Sequence, residues 1–481
     1  MKSRWSTAAL GALALGALAL AGCASFKPAA PPPLLSEAPV AGTALPAGGQ
    51  WPAADWWRRY QDPTLDQLVA TALSDSPTLA AAHARFDTAR EQVRATAAAS
   101  GAHLNADARV ERQRLSDNGL ISPAFLGFSW YTQADLGLGA SYTFDWWGKQ
   151  RASVEAATNE ARAAQADHAA AALALSGAVV DSYFGWQADQ ARLGLMQERI
   201  ATLTRLDTIA ALRQRAELDG ADDQHRTDAD LAAARGQLAA LQGSAQMRLV
   251  ALAALTGHSV AQLPPLAPHA LPVLPAAVPD RISLDLLARR PDIAASRWRV
   301  EAAQRRRHVA EAQYYPDITV SGLLGLQSID MDKILESGNS TPHIGVAIHL
   351  PLYDNGLRAA QLDAADTEIA TAIATYNDTV ITAARELAGS VVAGNQAAAQ
   401  RTQQLEQLQA TSALQRSAEA RATQGLTDAR PALNAQFAVL LQRDAVVQLD
   451  AAALTSDSAL QRALGGGYGE SSSVARASAQ P

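Results

Sequence analysis

The chain has one cysteine in 481 residues, Cys23, so no disulfide can form within it. It has four methionines, too few to support a methionine-lined copper path. Its nine histidines are scattered, with no H-E-x-x-H or other close metal-ligand spacing, so nothing points to an enzyme or to a resident metal or cofactor. A basic excess is also missing. The net charge of −7 and pI near 5.7 leave no electrostatic footprint for nucleic acid. After the N-terminus nothing approaches 18 consecutive apolar residues, so no transmembrane helix is expected. The most informative absence is proline, which is missing from residues 149–216 and again from 357–424.

Each proline-free stretch is 68 residues long, and the second begins 208 positions after the first. In the second, Ile369, Ile373, Tyr376, Val380, Ala383 and Leu387 recur at gaps of four and three, the alternation of a coiled coil. Leu193, Met196, Ile200 and Leu203 form the equivalent seam in the first. As a single helix each would be roughly 100 Å long. Globular helices average about 11–12 residues, so these rods span a distance rather than fill a domain.

Residues 1–22 read as a signal peptide. Lys2 and Arg4 supply the positive end, and Ala8 to Leu20 supply an apolar core too short to cross a bilayer. It ends in Leu20-Ala21-Gly22-Cys23, which resembles the bacterial lipobox. That resemblance implies a covalent lipid on Cys23. Ala24 in place of an aspartate implies the outer membrane as destination. Residues 23–54 are rich in Pro, Ala and Gly, an extended tether between a lipidated end and the folded part.

An internal repeat then begins. At an offset of 214, Asp66 matches Asp280, Leu68 matches Ile282, Leu73 matches Leu287, Pro77 matches Pro291 and Arg85 matches Arg299. Each proline opens a helix, where its missing N–H is harmless. Four alternating segments follow, two per repeat. Leu104, Ala106, Ala108 and Val110 share one face, as do Leu136, Leu138, Ala140, Tyr142 and Phe144. In the second repeat Ile318, Val320, Leu324 and Leu326, then Ile344, Val346, Ile348 and Leu350, do the same. Each segment is about long enough to cross a bilayer as a tilted strand. His343 and His349 share the opposite face, about 20 Å apart, and read as lumen lining rather than metal ligands. Trp146-Trp147 reads as membrane-interface aromatics, and Trp56-Trp57 as packing or a neighbour of the lipid anchor. The rods turn at polar tips, 217–223 and 425–430, where Asp222 and Asp428 are expected N-caps of returning helices. The first repeat spans 55–262, a proline-rich linker 263–279, the second repeat 280–464, and a tail expected to be disordered 465–481.

The fold class expected is mainly α with a transmembrane β part. Four strands cannot close a membrane barrel, since the smallest have about eight. An open edge in lipid leaves backbone groups unpaired, so the barrel has to be oligomeric. Two copies would give eight strands and a filled interior, three would give twelve and a lumen; the pattern alone does not choose.

The lipobox and the twofold helix–hairpin–rod–tip–helix plan resemble the TolC-like outer-membrane efflux family, in particular its NodT-type lipoproteins. So do Phe144-Asp145-Trp146-Trp147-Gly148-Lys149 and Leu350-Pro351-Leu352-Tyr353-Asp354-Asn355-Gly356 at the two strand-to-rod joins. The resemblance implies a homotrimer with a twelve-stranded barrel in outer-membrane lipid over a helical tunnel through the periplasm. It implies a periplasmic adaptor and an inner-membrane RND-type pump as partners, with Leu218, Gly220, Gly425 and Leu426 as adaptor-contacting tips. Small toxic molecules or drugs are the implied cargo. A structural or adhesive coiled-coil lipoprotein, or the outer-membrane part of a type I secretion system, are the alternatives. At the aperture many relatives carry an aspartate nine residues beyond the tip glycine. Here that position is Asn434, and Arg430 stands five beyond Gly425. The expectation is that Arg430 pairs with Asp222 or Asp223 of the other repeat, near Asp428, and latches the closed end.

Overall fold

The computed structural model describes residues 32–36, 50–118, 122–273 and 289–469. Cys23, the signal peptide, most of the tether, the end of the linker and the last twelve residues lie outside these.

Two short helices lead in. Helix α1 (Pro63–Asp75) starts at Asp62, whose carboxylate accepts the N–H groups of Thr64 at 2.9 Å and Leu65 at 3.2 Å. That satisfies two of the donors a helix start leaves open. Helix α2 (Pro77–Ala99) and its second-repeat counterpart open on proline, as the sequence predicts. Strands β1 (His103–Arg114) and β2 (Trp130–Phe144) form the first hairpin. The first rod, α3 (Lys149–Arg215), follows, and α4 (Ala221–Thr256) returns. The second repeat gives α5 (Pro291–Ala312), β3 (Asp317–Ser328), β4 (His343–His349), the second rod α6 (Leu357–Thr423) and α7 (Arg430–Ala463). Both rods are single unbroken helices, one residue shorter than expected.

The strand-to-rod joins explain their sequence. Gly148 and Gly356 sit at φ of 75° and 85°, the left-handed region that glycine adopts without strain. Just before them Asp145 accepts the N–H groups of Gln150 and Arg151, and Asp354 accepts those of Gly356 and Arg358. A carboxylate there also meets the positive end of a long helix dipole.

The helices form one curved layer. In the half next to the sheet the neighbours run α2–α3–α5–α6; toward the tips they run α4–α3–α7–α6. The core follows these seams. Ile369, Ile373, Tyr376, Val380, Ala383 and Leu387 are all buried, against Ile293, Val300, Leu460 and Leu464. Lower down, Met196, Leu203 and Leu206 pack on Leu231 and Leu241, with Leu433 and Phe437 completing the cluster. Trp56 is buried against Trp57 and Tyr60, so that pair is packing.

The structure corrects three expectations, on the tether, the linker and the tail. Helix α4, for its part, is long and apolar enough by composition to pass for a membrane span. Alanine content gives it that character, and its buried positions Leu231, Ala234, Leu241, Ala245 and Leu252 face α3 at coiled-coil spacing. The tether is docked at 32–36: Leu35 N–H donates to Asn377 Oδ1 at 3.0 Å, and Asn377 Nδ2 donates to Pro33 O at 3.0 Å. The linker is extended but packed. Leu263, Leu266 and Leu271 touch the core, and His269 bonds Asp62 at 2.8 Å and Tyr183 at 3.0 Å. The tail begins with an ordered turn, Gly465 to Gly467, all at positive φ, and Tyr468 packs on Ala166, Ala294 and Ala295. Proline and glycine content excludes helix in such segments but does not prevent their occasional leucines and tyrosines from finding the core.

Candidate functional site

The four strands form one antiparallel sheet in the order β1-β2-β3-β4. Its register aligns the apolar sets across every pair: Ala106 with Leu138, Leu138 with Leu324, Tyr142 with Val320, Val320 with Val346. One face is therefore an apolar band, bounded at the outer end by Arg112, Arg114, Thr132 and Ser328. The other carries Asn105, Asp107, Ser321, His343 and His349, with Leu323 as an apolar exception lying over Gly137. Trp130 marks one end of the apolar face, with Arg112 stacked 5.8 Å from its ring. Tyr142 and Phe144, 5.1 Å apart, mark the other. Aromatics at both ends of an apolar band are what the two membrane interfaces favour. Trp147 lies just past the lower end, stacked on Tyr315 at 4.6 Å with its indole N–H on Pro316 O.

Far from the sheet, both rods end the same way. Leu218 N–H reaches back to Arg213 O at 3.0 Å and Glu217 N–H to Gln214 O at 3.0 Å. Leu426 N–H reaches Arg421 O at 2.9 Å and Gly425 N–H reaches Ala422 O at 3.0 Å. This pair of bonds is the Schellman closure, and it needs a left-handed residue. Gly425 supplies it at φ 72°, while Glu217 does so at φ 55° against the steric preference of a side-chain-bearing residue. The closure projects Leu218 and Leu426 outward, 63% and 68% exposed. Gly220 is the N-cap of α4, and Asp222 and Asp223 lie in its first turn, so Asp222 is not the cap. Asp428 stands one residue before the nominal cap of α7, yet its Oδ1 still accepts the Arg430 N–H at 3.0 Å.

Between the tips four charges alternate in a closed square. Asp219 takes a two-pronged contact from Arg213, Nε to Oδ2 at 2.6 Å and Nη2 to Oδ1 at 3.0 Å. Arg430 Nη1 reaches the same Asp219 at 3.0 Å, and its Nη2 reaches Asp428 at 2.9 Å. Arg213 Nη1 lies 3.8 Å from Asp428. The Arg213 guanidinium foremost, then Arg430, holds the Asp219 carboxyl below the usual carboxylate range; Arg430 and then Arg213 do the same for Asp428. The square joins the first repeat's tip to the second's at the foot of the α3–α7 seam. Farther up that seam Arg192 holds Asp444 at 2.8 Å.

The predicted partner of Arg430 is therefore corrected. Asp223 pairs with Arg226 at 3.4 Å along its own helix, and Asp222 is exposed. Asp219 instead lies in the turn between α3 and α4, within reach of Arg430 at the start of α7. Asn434 is exposed one turn into α7, outside the square. Sequence reasoning missed Arg213 and Asp219. The polar tip 217–223 was expected to turn, but nothing local shows which carboxylate of a turn folds inward.

Comparison with known proteins agrees with this arrangement. The family model described as outer membrane efflux protein matches residues 68–258 and 283–466, one block per repeat. Multidrug resistance outer membrane protein MdtP of Shigella flexneri is 33% identical over 432 residues, 88% of each chain. The crystal structure of the outer membrane protein VceC from Vibrio cholerae shares 32% identity at a TM-score of 0.78. The match covers 87% of this chain and all of that one. The Campylobacter jejuni CmeC outer membrane channel, 21% identical, superposes at a TM-score of 0.83 over 95% of this chain and 98% of its own, a likeness of fold.

Proposed function

The chain belongs to the outer membrane efflux protein family, and we infer from its open edges how it performs that function: three copies close head to tail into one continuous duct. It is an efflux channel of the outer membrane. The observation that carries the trimer is that every layer is open on the same two sides. The sheet ends at β1 and β4, and both strands are exposed along their whole length. The helical layer ends at α2 and α4 on the first-repeat side and at α6 on the other. Unlike edges that repeat through the whole height make a heterologous contact, which closes as a ring. Four strands per chain make twelve for three copies, wide enough for a lumen where eight would be filled.

In this reading the apolar sheet face meets lipid, the polar face lines the pore, and the rods carry the pore across the periplasm. The exposed Leu218 and Leu426 are the contact points for a periplasmic adaptor, which links the duct to an RND-type pump. Cys23 carries a lipid that adds a second attachment to the outer membrane. The duct is passive, and drugs are the cargo class suggested by the multidrug resistance relatives. The polar pore face and exposed tips favour this over an adhesive rod, which needs no four-stranded band with one lipid-facing side.

The test is the purified protein in detergent and in a planar bilayer. Trimers that conduct ions, and a deletion strain sensitised to drugs and rescued by the gene, are the expected results. Trimers that conduct nothing would remove the channel reading; a stable monomer would remove the ring.

A further inference from the structure

The end of the sheet opposite the rods carries two loops with apolar tips. The β1–β2 loop is held by Leu115 N–H on Ser129 O at 2.8 Å and contains one helical turn, Pro123–Leu126. Ser122 caps that turn and Gly127 closes it at φ 81°. It presents Phe125, 86% exposed, beside Leu126 and Phe128. The β3–β4 loop is held by Thr341 N–H on Gly325 O at 2.7 Å, by Ser328 turned onto Asp330, and by Asn339 donating to Lys333 O. It presents Leu335, 78% exposed, with Ile329 and Met331. Large apolar side chains fixed in turns, away from the lipid band, expose surface that burial would stabilise by about 25 cal/mol per Å².

We propose that these two loops are halves of one contact, with Phe125, Leu126 and Phe128 of one copy seated on Ile329, Met331 and Leu335 of the next. The proposal rests on the ring described above. The first loop hangs on β1, one open edge of the sheet, and the second precedes β4, the other open edge. Closing the ring sets β1 of one copy beside β4 of its neighbour, so the two loops flank the same seam at the same end. The contact ties the outer rim of the barrel together where β4 is shorter than β1 and leaves part of the edge without a ladder partner.

The experiment places cysteines at both loops, Phe125→Cys with Leu335→Cys, in the full chain, and oxidises the detergent-solubilised channel. Size and mass in detergent are measured on the same sample. Most of the chain running as linked dimers and trimers on a denaturing gel is the expected result, with either single variant staying monomeric. Trimers by mass that yield no linked species overturn the loop contact while leaving the ring intact. Monomers by mass would instead overturn the ring on which the contact rests. A second measurement labels Phe125→Cys alone with an environment-sensitive fluorophore and adds nitroxide-bearing lipid, because the nine native tryptophans would mask a tenth. Strong quenching of that label puts the loop in the bilayer and overturns the contact; weak quenching agrees with it.

Discussion

At the scale of single residues, the tip square decides how the two hairpins are held. Each arginine touches both aspartates, so removing one arginine strips a contact from each carboxylate. Arg430→Ala and Arg213→Ala should each loosen the foot of the α3–α7 seam and raise single-channel conductance. The double variant should add little beyond the larger single one, because the four groups act as a network. Planar-bilayer recordings check this, and unchanged conductance in both singles would take the latch away from these residues. A two-residue charge swap, Asp219→Arg with Arg430→Asp, should not restore closure, since it turns Arg213 against Arg and Asp428 against Asp. The pH dependence follows from the carboxyls. Asp219 and Asp428 have folded-state pKa values below the ordinary range, so their contribution is complete above about pH 4. It is lost only as pH falls through those lowered values, so acid opening should begin below the titration of an ordinary aspartate. Only part of this site was legible beforehand. Arg430 stood out by its distance from the tip glycine Gly425, measured against the family pattern, and Asp428 as an expected N-cap. Arg213 and Asp219 did not, because their meeting depends on the direction in which the turn reverses.

At the scale of elements, periodicity carried the reading almost unaided. A period of two over four segments and of 3.5 over two rods survive as strands and helices, because both sides of each pattern are enforced by what they pack against. The strand faces give a paired prediction. Val346 lies opposite Val320 on the apolar face, and Ala347 lies opposite Thr319 on the other. An arginine on the lipid face costs about 2–4 kcal/mol at mid-bilayer and far less in the lumen. Val346→Arg should thus lower the yield of heat-resistant trimer well below that of Ala347→Arg, and equal yields would contradict the assignment of faces. The glycines give another. Gly356 and Gly465 share a left-handed φ of 85° and 90°. An added Cβ meets nothing within 4 Å at Gly356, but at Gly465 it falls 1.9 Å from the Arg289 carbonyl oxygen. Gly356→Ala should cost about 1–2 kcal/mol, the left-handed penalty alone, and Gly465→Ala clearly more, read as the drop in thermal midpoint in detergent. Composition led to the expectation that the chain after Leu464 is disordered, and the turn at Gly465–Gly467 corrects it. That glycine lets this turn lie against the backbone of Arg289 and Arg290, just ahead of α5, is a tertiary fact with no local signal.

At the scale of the whole molecule, the tether fixes a height. Leu35 is pinned on Asn377, twenty residues into α6 from Leu357, where the rod leaves the barrel. That places the pin about 30 Å below the barrel end. Cys23 lies twelve residues before Leu35, and an extended chain of that length spans at most about 40 Å. A lipid on Cys23 can therefore sit in the bilayer while Leu35 stays docked, with little slack. With the lipid proposed above on Cys23, the docked Leu35 and the bilayer would bracket a chain of limited reach, and the tether is expected to act as a strap between the membrane and the α5–α6 seam. Deleting residues 25–30 leaves about 20 Å of reach, too short for both attachments at once. With a photoreactive residue replacing Asn377, the full-length chain should capture its own peptide around Leu35. The shortened chain should lose that capture while mass spectrometry still finds lipid on Cys23. Cys23→Ser in the shortened chain frees the end from the bilayer and should bring the capture back. Capture in the shortened, lipidated chain would show that the strap is not taut, and an unmodified Cys23 peptide in the full-length protein would remove the membrane end of the strap altogether.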